Sequence, residues 1–317
     1  MIHRVLAEWD RAQPAERETC ARALLPRLPD GLAYAGLERF DLGGQAHEVA
    51  TYRSEAPDRR FVLVPGGTAR LGFAGGAGWQ PTPRTAAAWE DCAAEWGLPP
   101  LAEHLAEVLA PPRDVVLPAL LVETTAWEVG WVPVDGDDPE VRAIVASRRD
   151  EQVVEFGFGP GTVRVAFGPD GTIRAERAEE LDQDDLLHRL GHDGWRLPTP
   201  DEWEYLCAGG TGTLFRWGDE VPGEAYPIDP LPDFDAHRRP NAFGLRIAEN
   251  PYLQEVTAAP NTLRGGDGGA TICGGAGFFL GWLPLASAYG DPNTCERSPD
   301  EVILPGVTVA RRVVALD

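Results

Sequence analysis

Lysine is missing from this sequence, and all 28 of its basic residues are arginine. An enzyme that forms a Schiff base through a lysine amine, or one that binds phosphates with a P-loop lysine, is therefore excluded. Serine is also scarce, with four in the whole chain, and none of them lies in a Gly-x-Ser-x-Gly motif. These absences remove serine hydrolases of that type and P-loop nucleotidases from the candidate functions.

Acidic residues outnumber basic residues in this sequence, 50 to 28. The formal net charge is −22 at pH 7, and no arginine cluster is dense enough to reverse the field locally, so nucleic acid is a poor partner. Residues 115–122 form an apolar run that is short and carries Pro118, well below the roughly 18 residues of a membrane span. Glu8 and Asp10 interrupt the stretch where a secretory signal needs apolar residues. We therefore expect a cytoplasmic protein without nucleic-acid or membrane partners.

Cysteine is infrequent and irregularly spaced. Five cysteines, at positions 20, 92, 207, 273 and 295, give neither an even disulfide framework nor a Cys-x-x-Cys zinc motif. Reduced thiols are therefore expected, and any role of a cysteine has to be considered one residue at a time.

Glycine and proline are abundant, with 36 and 29 residues, which favours a loop-rich fold of short elements. Apolar spacing predicts two short helices within residues 1–30 and a helix pair over 83–110. Strand-like runs at 153–156, 162–167 and 172–176 predict a small meander. We assign residues 1–60 to a helical N-terminal extension and residues 61–317 to the main domain, with the pair at 83–110 as a helical insertion.

The most informative stretch is residues 195–205, WRLPTPDEWEY. Thr199 is placed as an N-cap, Pro200 occupies the first helical position, and Glu202 follows three residues after the cap. The pattern therefore predicts a capping box that opens a helix. Trp203 then falls on the apolar face of that helix, and the local role of the motif is architectural.

That stretch, followed by FRWGD at 215–219, resembles a helix start in the formylglycine-generating enzyme superfamily, also called sulfatase-modifying factors, whose members typically carry RLPTxxEWEY. Further segments match the family's motifs in the expected order. These are FVLVPGGT at 61–68, VETT at 122–125, NAFGL at 241–245, LRGG at 263–266 and, weakly, GVTVAR at 306–311. The ordered matches cover roughly residues 61–315 and are together more specific than any one motif.

The resemblance implies an α+β fold related to C-type lectins, with little regular secondary structure and many ordered loops. It also implies several functions: copper-dependent oxidation of a substrate cysteine to formylglycine, iron-dependent sulfoxide synthesis, tailoring of natural products, and non-catalytic display. A fold shared by all of these does not choose among them.

Copper in this family is held by two cysteines five residues apart after the Arg-Gly-Gly strand, since soft thiolates favour Cu(I). Cys273 lies close to the first position, displaced by about three inserted residues, and Phe278 stands where the second cysteine belongs. The pair is therefore broken unless Cys295 completes it, which requires the loop at 280–293 to fold back. The alternative interpretation is that Cys273 is a small packed residue.

The iron and calcium ligands that the family implies are also altered. Iron-binding members use a His-x3-His-x-Glu pattern in a preceding helical domain. Here His188 and His192 stand at the expected end of a helix, where exposed or capping histidines are the simpler interpretation. Family members bind structural calcium after the Gly-Leu turn, and Asn250 and Glu255 occupy that place with altered spacing. Both are candidate calcium ligands, and loss of the site is the alternative.

These observations predict a divergent member of the superfamily, acting as a metal-dependent oxidative tailoring enzyme on a small molecule or peptide, with copper or iron as the metal. Cys273 and Cys295 are the candidate catalytic residues. The candidate substrate contacts are Trp282 and Tyr289, lining a cleft, and Asp267. One alternative is a non-catalytic, lectin-like binding or scaffold protein that has lost the copper site. Another is a metal-free enzyme that uses carboxylates such as Asp267 or Glu255.

Overall fold

The structure is a computed structural model that describes residues 6–55, 58–75, 79–147, 153–156, 159–260, 262–291, 293 and 303–316. Within these ranges the chain is a mixed α and β protein with several sheets. The helices are α1 (Leu6–Arg11), α2 (Pro14–Leu24), α3 (Pro83–Trp96), α4 (Leu101–Val108), α5 (Pro139–Ser147), α6 (Gln183–His192), α7 (Pro200–Ala208), α8 (Ala270–Cys273) and α9 (Phe278–Trp282). The strands are β1 (Leu32–Leu42), β2 (Gln45–Glu55), β3 (Asp58–Val64), β4 (Gly67–Leu71), β5 (Arg113–Leu117), β6 (Ala119–Glu123), β7 (Trp127–Glu128), β8 (Trp131–Pro133), β9 (Val153–Phe156), β10 (Val163–Phe167), β11 (Ile173–Ala178), β12 (Gln254–Val256), β13 (Leu263–Arg264), β14 (Thr308–Ala310) and β15 (Val313–Leu316).

The largest sheet is antiparallel, with the strand order β1-β2-β3-β6-β15. β6 lies between β3 and β15 and is buried along its whole length. A continuous apolar run suits a strand that is covered on both faces, whereas a strand with one wet face alternates. Pro118 lacks the N–H that a ladder needs and separates β6 from β5. The apolar run over residues 115–122 is therefore divided between two strands, which belong to two different sheets.

The prediction of a helical extension over residues 1–60 holds for α1 and α2 but does not hold for residues 32–55. These residues form β1 and β2, an antiparallel hairpin at the edge of the largest sheet. Its turn is the pair Gly43 and Gly44, with φ of 59° and 78°, and such a turn matches the twist of the strands that it joins. Strands from both sides of residue 60 therefore share one sheet.

Three smaller sheets are found in the described ranges. The predicted meander is confirmed, because β9, β10 and β11 pair in sequence and β8 extends them in the order β8-β11-β10-β9. A second sheet has the order β13-β12-β14-β7 and contains one parallel pair, β12 with β14. β4 and β5 pair only with each other among the described strands. α3 and α4 confirm the predicted helix pair over residues 83–110.

α7 lies inside the main hydrophobic core and begins as predicted. The hydroxyl of Thr199 accepts a hydrogen bond from the amide of Glu202 at 3.2 Å, and the Glu202 carboxylate accepts one from the amide of Thr199 at 2.8 Å. Trp203, on the helix's inner face, is fully buried. The capping box is thus confirmed, and it places α7 where its aromatic residue enters the core.

Beyond residue 209 the regular elements are short, and buried polar groups order the loops between them. Arg216 is fully buried, and its guanidinium donates to the carbonyl oxygens of His237, Arg239 and Ala248. Loop carbonyl groups that are removed from water need such donors, because a buried carbonyl oxygen without a hydrogen bond destabilises the folded state. Every helix within the described ranges is too short or too polar to cross a lipid bilayer.

Candidate functional site

Cys273 is the last residue of α8, a helix of four residues in the glycine-rich segment. Its side chain is exposed, and its Sγ lies 3.4 Å from the hydroxyl oxygen of Tyr252. The ring of Tyr252 crosses Gly269, where a Cβ would lie 2.3 Å from it, so only glycine permits this approach. The hydrogen bond with the thiol is the main cause of the raised pKa of Tyr252. Together these side chains form a thiol–phenol pair that solvent can reach.

Asp267 supports the turn that leads into α8. One oxygen of its buried carboxylate accepts a hydrogen bond from the amide of Gly269 at 2.8 Å. The other accepts from the amide of Thr271 at 2.9 Å and from its hydroxyl at 2.7 Å. Both oxygens are therefore engaged within the turn. Asp267 therefore orders the turn before Cys273, whereas the sequence analysis predicted a contact with substrate.

Trp282 and Tyr289 lie in the core. Trp282 is fully buried, and its indole N–H donates to the carbonyl oxygen of Ala225 at 2.8 Å. Its ring packs edge-on against Trp217 and Phe234. Tyr289 is also buried and forms a β-bridge with Leu109. The sequence analysis predicted that these two side chains line a cleft. Both are instead packed in the protein interior.

The candidate calcium ligands meet at a small cavity of about 290 Å³. Glu255 is buried, and its two oxygens accept from the guanidinium of Arg311 at 2.8 and 3.1 Å. Asn250 uses its side-chain oxygen to accept from the amide of Tyr252 at 3.0 Å. Asn250 and Glu255 both line this cavity. Their oxygens, however, already have protein partners and do not present the cage of free oxygens that calcium takes.

Glu249 faces the same cavity and was missed by sequence reasoning. Its Oε2 lies 3.2 Å from the guanidinium of Arg246, while Oε1 is buried without a hydrogen-bond partner among the described residues. Removal from water is the main cause of the raised pKa of Glu249. No motif singles out this glutamate, because its burial depends on how the loops after residue 245 fold together.

The remaining metal candidates do not assemble within the described residues. No group of three or more His, Cys, Asp or Glu side chains that could hold a metal is found there. Cys273 is the exposed thiol among the four described cysteines, whereas Cys92 and Cys207 are buried. Cys295 lies outside the described residues. Phe278, which stands where the resemblance predicts a second copper-binding cysteine, packs against Tyr226 with 4.9 Å between the ring centroids.

The two histidines considered for iron lie at the end of α6. His188 and His192 are both exposed, and α6 ends at His192, as the sequence predicted. Nδ1 of His192 is 3.4 Å from the carboxylate of the next residue, Asp193. These positions agree with surface histidines near a helix C-terminus, where a positive charge is favourable.

Comparison of the chain with protein-family models gave no match, and comparison with curated proteins gave none. The resemblance to the formylglycine-generating enzymes therefore rests on the ordered motifs of the sequence.

Proposed function

We propose that this chain is a divergent member of the formylglycine-generating enzyme superfamily, with the family's lectin-related fold, and that it contacts a small molecule or peptide through the thiol of Cys273. One observation carries the proposal. Among the predicted site residues that the structure describes, Cys273 combines exposure with a reactive group. Its Sγ lies beside the hydroxyl of Tyr252, and Asp267 orders the turn that leads into its helix.

The chemistry of this position depends on the charge state of the sulfur. A thiolate is both the nucleophilic form and the soft ligand that copper prefers. A phenolic O–H donated from Tyr252, 3.4 Å away, would stabilise that thiolate. Such a pair suits recognition of a thiol-reactive or soft ligand.

Oxidative tailoring at this position needs copper or iron, which when bound would supply oxygen chemistry. The described residues offer one exposed sulfur, Cys273, and so do not complete a two-thiolate copper site. No oxidative step is therefore assigned to them. Cys295 is the residue to test as a second ligand.

A non-catalytic binding or scaffold protein is the second candidate. It is favoured by the internal contacts of side chains that the sequence analysis had suggested for binding a substrate or a metal. Asp267 orders a turn, Glu255 pairs with the buried Arg311, and Trp282 is a core residue. The same bonding disfavours a metal-free enzyme that uses Asp267 or Glu255 as a general base, since both carboxylates are buried and already paired.

Metal uptake separates the two candidates. The purified protein is loaded anaerobically with Cu(I), and separately with Fe(II), and the bound metal is measured by competition with a chelator. The variants are Cys273→Ala, Cys295→Ala and, as a matched control, Cys20→Ala in α2. For the oxidative enzyme we expect one equivalent of metal in the wild type and in the control, and loss of uptake in the other two variants.

The binding or scaffold protein predicts no stoichiometric uptake of either metal. Retention of uptake by Cys273→Ala would show that metal binds elsewhere and would contradict the assignment of this thiol. Circular dichroism of each variant reports whether the fold is intact.

A further inference from the structure

A second cavity lies far along the chain from the Cys273 segment. It has a volume of about 520 Å³, within the range of small-molecule sites. α1, the start of β2, β4 and the residues that follow α7 surround it. Its polar groups include Asp10, Gln45, His47 and Thr68, and glycines form much of the wall.

His47 is the unusual group in this cavity. Its side chain is 7% exposed and its ring stacks on Phe243 with 5.1 Å between centroids. Nδ1 lies 3.2 Å from a carboxylate oxygen of Asp10, on α1. Nε2 is buried and has no hydrogen-bond partner among the described residues. One ring nitrogen is thus satisfied, whereas the other is a buried polar atom without a partner among the described residues, which is unfavourable until a ligand supplies one.

The partner of Nδ1 decides the chemistry of Nε2. A carboxylate accepts hydrogen bonds, so of the two neutral tautomers of His47, Asp10 favours the one that carries its proton on Nδ1. Nε2 is then left with a lone pair and is a hydrogen-bond acceptor. A ligand that satisfies it must bring an N–H or O–H donor.

A glycine stands beside Nε2 on the wall of the cavity. A Cβ on Gly210 would lie 3.4 Å from Nε2 and 3.8 Å from the side-chain oxygen of Gln45. Gly210 has a φ of +87°, which side chains rarely adopt, so the backbone itself favours glycine here. A side chain at residue 210 would therefore begin beside Nε2 and the Gln45 oxygen, and glycine leaves this part of the cavity wall without one.

The charged groups around the cavity favour a cationic ligand over an anionic one. Asp10 is a carboxylate at the cavity, and Arg70, the cation on its wall, is paired with Asp114 at 3.1 Å. The whole chain carries a net charge of −22. A cation is attracted to such a site and an anion is repelled.

We propose that this cavity is a binding site for a small organic amine, in which Nε2 of His47 accepts a hydrogen bond from the ammonium group and Asp10 both orients the imidazole and neutralises the ligand. The site does not depend on Cys273 or on any metal, so it stands or falls independently of the function proposed above.

Three probes of the same shape test the proposal on the full chain at pH 8: benzylamine, benzyl alcohol and benzoate. The 15N resonance of His47 Nε2 is followed in long-range 1H–15N spectra during each titration. We expect saturable shifts with benzylamine, weaker binding of benzyl alcohol, and no shift with benzoate. No saturable shift with any probe up to its solubility limit, or tightest binding of benzoate, would overturn the proposal.

Two variants locate the site by calorimetry with benzylamine. His47→Phe keeps a ring against Phe243 but removes both nitrogens, and we expect at least tenfold weaker binding. Asp10→Asn keeps an oxygen for Nδ1 and removes the charge, so benzylamine should weaken while benzyl alcohol is unchanged. His192→Phe, at an exposed histidine, is the matched control and should bind like the wild type. Unchanged affinity in His47→Phe would place the ligand elsewhere and overturn the assignment.

Discussion

The thiols of Cys207 and Cys273 are in opposite environments. Cys207 is fully buried in α7, and removal from water raises its pKa to about 12. Cys273 is exposed beside the hydroxyl of Tyr252. Because the thiolate is the reactive form, exposure and ease of ionisation together decide which cysteine reacts.

Alkylation of the native protein should follow this difference. With iodoacetamide at pH 8, we expect Cys273 to be labelled at least tenfold faster than Cys207 and Cys92, as measured by mass spectrometry of peptides. The control is the same reaction in denaturant, where these three thiols should react at similar rates. Equal labelling of Cys207 and Cys273 in the native protein would contradict the exposures described here.

His237 illustrates how burial makes a single residue sensitive to pH. Its ring is fully buried against Phe234 and Trp282, and removal from water lowers its pKa to about 4, below the usual value of about 6.5. The unfolded chain therefore binds a proton between pH 6.5 and 4 while the folded chain does not. Through this group, the free energy of unfolding falls as the pH falls across that window.

The contribution of His237 can be isolated by substitution. We expect the free energy of unfolding of His237→Phe, relative to wild type, to rise as the pH is lowered from 6.5 to 4, by at most about 1.4 kcal/mol per pH unit. Urea unfolding at several pH values measures this. His192→Phe, at an exposed position, should not change the slope as much. A wild-type slope retained in His237→Phe would assign the pH dependence to other groups.

At the scale of elements, α7 shows local sequence and tertiary packing acting together. The capping box at its start satisfies backbone donors that would otherwise lack partners. Glu202 also accepts two hydrogen bonds from Arg196 at 2.7 Å, so the cap is joined to the preceding segment. α7 ends at Ala208 and is capped by Gly209 in the left-handed conformation (φ of 61°), as many helices are.

Thr199→Ala tests the cap. It removes the oxygen that accepts from the amide of Glu202, and we expect a loss of about 1 kcal/mol in the free energy of unfolding. Urea denaturation measures the difference. Thr19→Ala, at an exposed position inside α2, is the control and should change stability by less than about 0.5 kcal/mol. If both substitutions changed the free energy of unfolding equally, the Thr199 cap would contribute no more to stability than an exposed threonine inside a helix.

The helices and the meander were predictable because their signals are local. α3, α4 and α7 follow apolar spacing and capping patterns within a few residues, and β9 to β11 follow short runs between turn residues. The β1–β2 hairpin also had a signal, the Gly43–Gly44 pair between alternating strands, which the assignment of a helical extension overlooked. Pro118 indicated that the apolar run over residues 115–122 is divided between two strands, because proline lacks the N–H that a strand ladder needs.

At the scale of the whole molecule, Arg311 connects distant parts of the chain. It is fully buried and donates to the carboxylate of Glu255 and to the carbonyl oxygens of Glu123 and Arg246. These partners belong to β12, the end of β6 and the loop after residue 245. A buried pair that also satisfies carbonyl groups is costly to break, because one charge is left without its partner.

Arg311→Met should therefore destabilise the protein by about 3–5 kcal/mol, as measured by urea denaturation. We expect the double variant Arg311→Met with Glu255→Gln to recover part of that loss, since the uncompensated carboxylate is removed. Arg174→Met, at an exposed arginine, is the control and should have little effect. A double variant less stable than Arg311→Met alone would show that the buried charge is not the cause.

The sequence by itself determined the local elements of this protein, the absence of lysine chemistry, and the family resemblance that singled out Cys273, Asn250 and Glu255. Only the tertiary structure decided what those residues contact: Glu255 is bound to an arginine 56 positions away, and Asp267 is engaged within its own turn. The tertiary structure alone brought His47 to Asp10, 37 residues apart, and left one ring nitrogen without a hydrogen-bond partner among the residues that the structure describes. The reason is physical, because spacing along a chain specifies periodic local structure, whereas burial and hydrogen-bond partners depend on which distant segments pack together.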